Sequence, residues 1–490
     1  MCIRDRDGSS FGSTTATAPS GDYRIMQGAE APTRDEIIVI GVTESSEITG
    51  EIWDGSSWSV LPGSLGSPLG TVTQSYWWGM DVQYESQSGD ALMVWTDGGN
   101  IEYATWDGSN WSAVNTITYG GATPRHLQLA ASPNSDEMVL VVSDSSSSDR
   151  ALVWDGSSWG NEVLLDAGSG DDRTDVNVIY RQQSGDAVVV YGAGSTNLQT
   201  RVWDGTNWGS PMAFVSPVGV SGDVRWTTVA ADPNSDNIAV GVVTSSSETW
   251  VGVIDGVSWS ATEMSSTASS TIAPVIDVAF ESTSGELLTA YAESGSSNVK
   301  YQTWSSAGGW SGEQLGPNIG GTPNSLILSA DPISNQIMLS AQDSNSDVNS
   351  SLWNGSSWGD VTELGTSTTE TKNQPFLFLW DQQAVINNAP TFGVGDGIVT
   401  QDSGLGDDVA WDIALQDDGK IVTANWSSNG TDNDFLITRY NADGTLDTTF
   451  GGTGSVRVAF GSGDDNPLSL ALQPDGKIVV SGQAHNGTEM

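Results

Sequence analysis

The chain is poor in cysteine, histidine and positive charge. One Cys in 490 residues excludes a disulfide framework and a Cys-based zinc site. Two His leave little room for a His-dependent mechanism. Sixteen Lys and Arg face 61 Asp and Glu, a formal charge of −45. Such a field repels phosphate backbones and excludes a basic nucleic-acid face. No apolar run reaches the roughly 18–20 residues of a membrane-spanning helix. No long stretch carries a 3.6-residue apolar period, so helices should be nearly absent. What is present is glycine (58), tryptophan (21) and 37% apolar residues, enough to build cores.

The indoles fall in a repeat. Trp-Asp-Gly-x-x-Trp begins at Trp53, Trp106, Trp154 and Trp203. It returns as Ile254-Asp255-Gly256-Val257-Ser258-Trp259, as Trp304 to Trp310, and as Trp353-Asn354-Gly355-Ser356-Ser357-Trp358. The steps are 53, 48, 49, 51, 50 and 49 residues. Each copy reads as four short strands. In the second these are Asp81 to Tyr84, Ala91 to Trp95, Ile101 to Trp106, and one opened by Trp111. Asp107-Gly108 predicts a hairpin turn with positive φ at both positions. The runs Met138 to Val142, Ala187 to Tyr191, Ile238 to Val243 and Leu287 to Tyr291 lack polar alternation. A strand with one wet face alternates, so these have both faces covered. A sandwich would alternate in most strands, and a solenoid coil needs about half this period. The expectation is an all-β chain: a β-propeller of seven four-stranded blades over residues 21–386, with eight as the alternative. The paired indoles, each burying roughly 200 Å², are expected to pack between blades.

The copies alternate. Odd copies share one first-strand pattern, at Arg24 to Glu36, Arg125 to Glu137, Arg225 to Asn237 and Asn324 to Gln336. Even copies read Tyr84-Glu85-Ser86-Gln87-Ser88-Gly89-Asp90, Tyr180-Arg181-Gln182-Gln183-Ser184-Gly185-Asp186 and Phe280-Glu281-Ser282-Thr283-Ser284-Gly285-Glu286. Pro375 to Trp380 (PFLFLW) reads as one more even first strand, and strict alternation needs an even count. Three odd copies place Arg24, Arg125 and Arg225 at one position. Two places further along, even copies have Asp81, Asn177 and Asp277, on the same strand face. The pattern predicts alternating Arg and Asp around one channel mouth, tying blades as ion pairs. Converging guanidinium groups binding an anion are the other reading. His126 reads as a packed side chain.

Met1 to Arg6 reads as non-native, so residues 1–20 are expected to be a leader outside the fold, and the chain a piece of something longer. After Asn387-Asn388-Ala389-Pro390 the motif changes, and residues 387–490 form a separate partial domain. Gly406-Asp407-Asp408 recurs as Gly463-Asp464-Asp465, and Leu415-Gln416-Asp417-Asp418-Gly419-Lys420-Ile421-Val422 as Leu472-Gln473-Pro474-Asp475-Gly476-Lys477-Ile478-Val479, both 57 residues on. At these residues the segment 391–490 resembles the delta-60 repeats of large secreted bacterial proteins. That resemblance implies a second, truncated propeller in a modular surface protein, and no known catalysis. Asn441-x-Asp443-Gly444-x-x-Asp447 has carboxylates spaced for calcium but lacks a closing Glu, and reads first as a hairpin turn.

No Ser/His/Asp set, phosphate-cradling loop or metal-ligand spacing appears. Asp171-Asp172 and Asp407-Asp408 read as solvated turns. Thr105 to Trp111 is similar to the Asp box of sialidase-like propellers but one residue short, and Arg24, Arg125 and Arg225 recur as framework residues do. The expectation is therefore a protein that is not an enzyme. It is read as an extracellular or cell-surface scaffold with a binding or adhesive role, its partners glycans or surface proteins. A glycan-binding lectin is the alternative. Indoles exposed on one loop face would mark a lectin, and an exposed Tyr–Glu pair at the channel mouth a hydrolase.

Overall fold

The computed structural model describes residues 2–3, 15–16, 23–66, 68–74, 77–167, 175–255, 258–271, 273–366, 374–380, 408–416, 420–428, 430–441, 445–473 and 477–484. Most of the leader, Asp171-Asp172, Asn387 to Pro390, Asp407, Asp443 and His485 lie outside them. The chain divides into two compact units, Met1–Gln382 and Gln383–Met490.

The first unit is all β among its described residues, apart from one 3-10 turn at Gly63–Leu65. Besides a two-stranded pair, Cys2–Ile3 with Thr15–Ala16, its described residues form seven larger antiparallel sheets, each with its first four strands ordered as in the chain. The first sheet runs Tyr23–Glu30, Ile37–Thr43, Glu47–Trp53 and Trp58–Val60. The second runs Met80–Tyr84, Ala91–Asp97, Asn100–Trp106 and Asn115–Ile117. The third runs Pro124–Ala131, Met138–Asp144, Ser148–Trp154 and Trp159–Ala167. The fourth starts at Val176–Tyr180, the fifth at Val224–Ala231, the sixth at Ile276–Phe280 and the seventh at Pro323–Ala330. First strands neighbour one another in chain order, from the first sheet to the seventh.

The apolar second strands explain the stacking. In Met138–Asp144 every residue is buried. Leu140 and Val142 join Leu92, Val94 and Ile101 of the second sheet in one core. Val139 and Val141 join Val176, Val178 and Val189 of the fourth in the next. One strand thus feeds two cores through its two faces, which removes the need for polar alternation.

The Trp-Asp-Gly-x-x-Trp hairpin works differently from the expectation. The two indoles are directly opposed, as in Trp53↔Trp58 and Trp154↔Trp159. Gly55, Gly108 and Gly156 alone take positive φ, while the Asp does not. Asp54 acts through its carboxylate, whose Oδ1 accepts the N–H groups of Ser56 and Ser57 at 2.9 and 2.8 Å. The Ser56 hydroxyl, also bonded to Oδ1, and those two N–H groups hold the exposed carboxyl below its usual pKa. Asn354 caps its own turn in the same way, so an amide replaces the acid there without loss.

Gln374–Trp380 lies against the first and seventh sheets. Gln374 O accepts the Met26 N–H at 3.1 Å, and the Trp380 indole donates to Ser329 O at 2.8 Å.

The second unit has one four-stranded sheet, Asp408–Leu415, Ile421–Ser428, Asn433–Tyr440 and Ser455–Val458. A two-stranded sheet follows, Asn466–Leu472 and Ile478–Gln483. Their common core contains Val422, Ala424, Phe435, Ile437 and Leu470.

Candidate functional site

The first strands carry the residues singled out from the sequence. Arg24, Arg125, Arg225 and Asn324 each sit where the register slips by one residue against the second strand. They are bulge residues, so the recurring Arg marks a repeated bend in the strand rather than a regular pleat position. Arg24 pairs loosely with Glu44 at 3.8 Å, and the Arg125 guanidinium lies 4.7 Å over the Trp77 ring. Asp81 and Asp277 do something else. Asp81 accepts the Val82 N–H through Oδ1 and, through Oδ2, the Leu129 N–H of the next sheet at 2.7 Å. Asp277 accepts the N–H groups of Val278 and, at 2.7 Å, Leu328 of the next sheet. Asn177 accepts from Val178 and donates to Thr227 O at 3.1 Å. Asp81 and Asp277 thus tie neighbouring sheets through backbone amides, and Asp277 also accepts the Thr228 hydroxyl of the preceding sheet. Burial pushes the Asp81 carboxyl up to about 7 against the pull of its N–H donors, and Asp277 to about 6 against the Thr228 hydroxyl and its own N–H donors.

A cavity of about 70 Å³ lies among these strands. It is lined by Gln27, His126, Gln128, Asn177 and Thr227 and by the indoles of Trp78 and Trp226. Trp78, at the entry to the second sheet, meets Trp226 of the fifth edge-on at 5.4 Å. Its backbone N–H donates to His126 Nδ1 at 3.2 Å, which gives that buried histidine a structural role. One insertion breaks the repeat: the first step is 53 residues long, and the surplus leads into Trp77-Trp78. An undivided Trp-Trp pair inside the longest step was the available signal.

The second recurring constellation joins a carboxylate of one sheet to an indole of the next. Glu36 accepts from Arg34, from Tyr84 at 2.8 Å and from the Trp106 indole at 2.9 Å. Glu85 accepts from the Trp154 indole at 2.8 Å and from Ser88. Glu137 accepts from Tyr180 at 3.0 Å and Trp203 at 2.9 Å. Glu281 accepts from Trp353 at 2.7 Å and from Ser284. Acceptor and indole donor are 66 to 72 residues apart, a distance no local motif reveals. The exception supports the rule. In the fourth sheet Arg181 stands at the Glu85 position, and the fifth sheet has Ile254 where the indole would be. Likewise Asn237 replaces Glu36 and Glu137 exactly where Phe280 replaces the phenols Tyr84 and Tyr180.

These Tyr–Glu pairs do not suit nucleophilic catalysis. Tyr84 and Tyr180 are buried, and desolvation with the neighbouring carboxylate pushes their phenols further up, away from the phenolate. Burial pushes the Tyr291 phenol, bonded to Glu313, further up in the same way. The first indole of a pair is mostly sunk in the junction. The second (Trp58, Trp111, Trp159, Trp208, Trp259, Trp310, Trp358) is half-exposed in all seven copies. Two of these have their N–H groups fixed by the preceding sheet, Trp208 to Asn161 O at 2.7 Å and Trp259 to Val215 O at 3.0 Å.

Among the described residues no group of three or more His, Cys, Asp or Glu side chains could hold a metal ion. Asp447 is bonded to Arg439 at 2.8 Å and caps Thr449, which makes it a turn residue. No helix of the described residues is long and apolar enough to cross a membrane.

Comparison with known proteins gives one family model, a domain of unknown function described as a β-propeller (DUF5122), matching residues 416–450. No curated protein matches. The chain is similar in structure to the BP39L lectin of Burkholderia pseudomallei, with a TM-score of 0.51 and 12% identity, over 71% of this chain and 100% of that one. It aligns less well with the Aleuria aurantia lectin, described as a six-bladed β-propeller (TM-score 0.38, 14% identity, 71% and 99% of the two chains). At such identities the likeness concerns the fold alone, a run of four-stranded antiparallel sheets stacked in chain order.

Proposed function

We propose that the first unit is a non-catalytic, glycan-binding propeller that acts outside the cell. The observation that carries this reading is the second indole of each pair. In all seven copies it is only partly buried at the same hairpin, and in six of them it follows an Asp or Asn turn residue. An apolar ring edged by hydroxyl and carboxylate groups is suited to a sugar, which offers C–H and O–H surfaces together. Repetition of weak sites gives avidity without a deep pocket. The fold likeness to a bacterial lectin supports the same reading. The charge of −45 suits solubility in a salty exterior.

We read the ring as having eight positions. Met26, Leu127 and Leu326 are equivalent odd-copy residues, and their N–H groups donate to Gln374 O, Trp78 O and Pro274 O. Gln374 therefore occupies the entry to an even first strand, and Trp380 the place of Tyr84 and Phe280. Seven blades are complete, and Gln374–Trp380 supplies the first strand of the eighth position. Leu377 falls where Asp81 and Asp277 form their ties, so this junction closes without a carboxylate. The second unit is read as part of another propeller, of the delta-60 kind.

The test is a glycan array probed with the full chain, followed by titration of the best sugar against Trp fluorescence. Binding is expected, and joint replacement of Trp58, Trp111, Trp159 and Trp208 by Ala should weaken it at least tenfold with the fold retained. A folded chain that binds nothing on the array would overturn the glycan reading and leave a structural spacer.

A further inference from the structure

We propose, resting on the eight-position reading above, that the face between the first and seventh sheets is an interaction surface for residues 2–16 of the same chain. The segment supplies the outer half of the eighth position, beside the first strand given by Gln374–Trp380. Asp7-Gly8-Ser9-Ser10-Phe11-Gly12 is an eighth copy of the hairpin motif. It matches Asp155-Gly156-Ser157-Ser158-Trp159-Gly160 except that one aromatic residue replaces another. Asp7 precedes Asp54 by 47 residues, close to one repeat step. The motif starts after Arg6, clear of the stretch that reads as non-native. The described strands on either side pair Cys2 with Ala16 and Ile3 with Thr15. Counted from the motif, these are the pairs Arg150↔Leu164 and Ala151↔Val163 of the third sheet. The register is thus that of a third strand with its fourth. Among the described residues the pair forms a sheet of its own. Ladder pairing uses the backbone, so the side chains at positions 2 and 3 do not decide it.

Both flanks of the eighth position call for such an occupant. Val39 and Glu51 are cross-strand partners on the first sheet, as Ser340 and Ser350 are on the seventh. Their chain neighbours Ile38, Ile40, Leu339 and Ala341 belong to the core shared with the second and sixth sheets. By alternation these four residues point the other way, towards the eighth position. They are buried all the same: Glu51 is 0% and Ser350 2% exposed. Glu51 and Ser350 lie on third strands. Gln374–Trp380 runs beside the first strand of the first sheet, bridged at Ile25↔Gln374, and so covers the inner strands. Cover over the third strands requires a third strand opposite, which the 2–16 pair provides. A position that draws strands from two distant stretches also ties those stretches together, so no sheet of the ring peels away without breaking a ladder.

The test reads a distance in the full chain by dipolar broadening between two spin labels. Cys2 is the sole thiol and carries one label, and Leu377→Cys carries the other. The first and third strands of one sheet lie two spacings apart, roughly 10 Å, so strong broadening is expected. Refolding with an excess of unlabelled chain should leave it unchanged, because both labels belong to one copy. A second pair, Glu30→Cys with Leu377→Cys in a Cys2→Ser background, reads only the place of Gln374–Trp380 against the first sheet. Loss of that proximity would remove the eight-position reading, whereas its retention without proximity to Cys2 would remove this proposal alone. Phe11→Ala should lower the melting temperature of the first unit by about 2 °C or more. Labels far apart, broadening that disappears on dilution because another copy supplies the strands, or an unchanged melting temperature would overturn the proposal.

Discussion

Replacing Trp154 by Ala is expected to cost about 3–5 kcal/mol, the range for a large buried aromatic. Its ring packs against Trp159 at 5.5 Å and Tyr103 at 5.7 Å, and its N–H joins the third sheet to Glu85 of the second. Trp154→Phe separates the two contributions. It keeps most of the apolar contact and removes the donor, leaving a buried carboxylate still bonded to the Ser88 hydroxyl. Burial already holds the Glu85 carboxyl above its usual pKa, so losing the indole should cost about 1–3 kcal/mol. In a Glu85→Ala background the same Trp154→Phe change should be nearly neutral, since no acceptor is left. The readout is the thermal or denaturant transition of the first unit. Equal costs in both backgrounds would show that the indole acts by packing alone.

The repeat, the strand content and the covered second strands are legible in the sequence because each is a local signal. Hydrophobic run length, turn residues and spacing all act within about ten residues of one another. The carboxylate–indole clamp is not local, as Glu85 and Trp154 show: the contact exists only once two sheets stack. Its trace in the sequence is a coupled exception, Arg181 with Ile254, visible only when one sheet is aligned against its successor. The bulge at the recurring Arg is hidden for a related reason. Arg24, Arg125 and Arg225 do recur, but a bulge adds a residue at that point, so counting two places forward to Asp81 does not preserve the face. Asp107-Gly108 reads as a pair tolerant of positive φ, yet only Gly108 takes it and the Asp107 carboxylate caps the turn.

Lowering the pH from 8 to 5 is expected to stabilise the first unit. Asp81 and Asp277 are held near 7 and 6 by burial, and Asp149 is pushed up by burial and by the nearby Asp166. In the unfolded chain these carboxyls titrate at about 3.9. Between those values the folded state binds more protons than the unfolded one. Their contribution is complete below the unfolded pKa and is lost as the pH rises through 6 and 7. At most this is on the order of 3–4 kcal/mol for Asp81 and about 3 kcal/mol for Asp277. The turn carboxyls Asp54, Asp107 and Asp155 are shifted down by their N–H and hydroxyl donors and have the opposite sign. Their contribution is present above the unfolded pKa and fades as the pH falls through their folded values. The melting temperature should therefore rise from pH 8 to about pH 5 and fall again well below pH 4. Asn177 shows that an amide can occupy the tie position, so Asp81→Asn with Asp277→Asn should fold and flatten the limb between pH 5 and 8. At pH 5 the double variant should be less stable than the wild type, because each amide has one oxygen for two N–H groups, and the gap should narrow towards pH 8. Melting curves at fixed ionic strength decide it: a wild-type limb that is flat or rises with pH, or a slope unchanged in the double variant, would mean that these buried acids are ionised throughout.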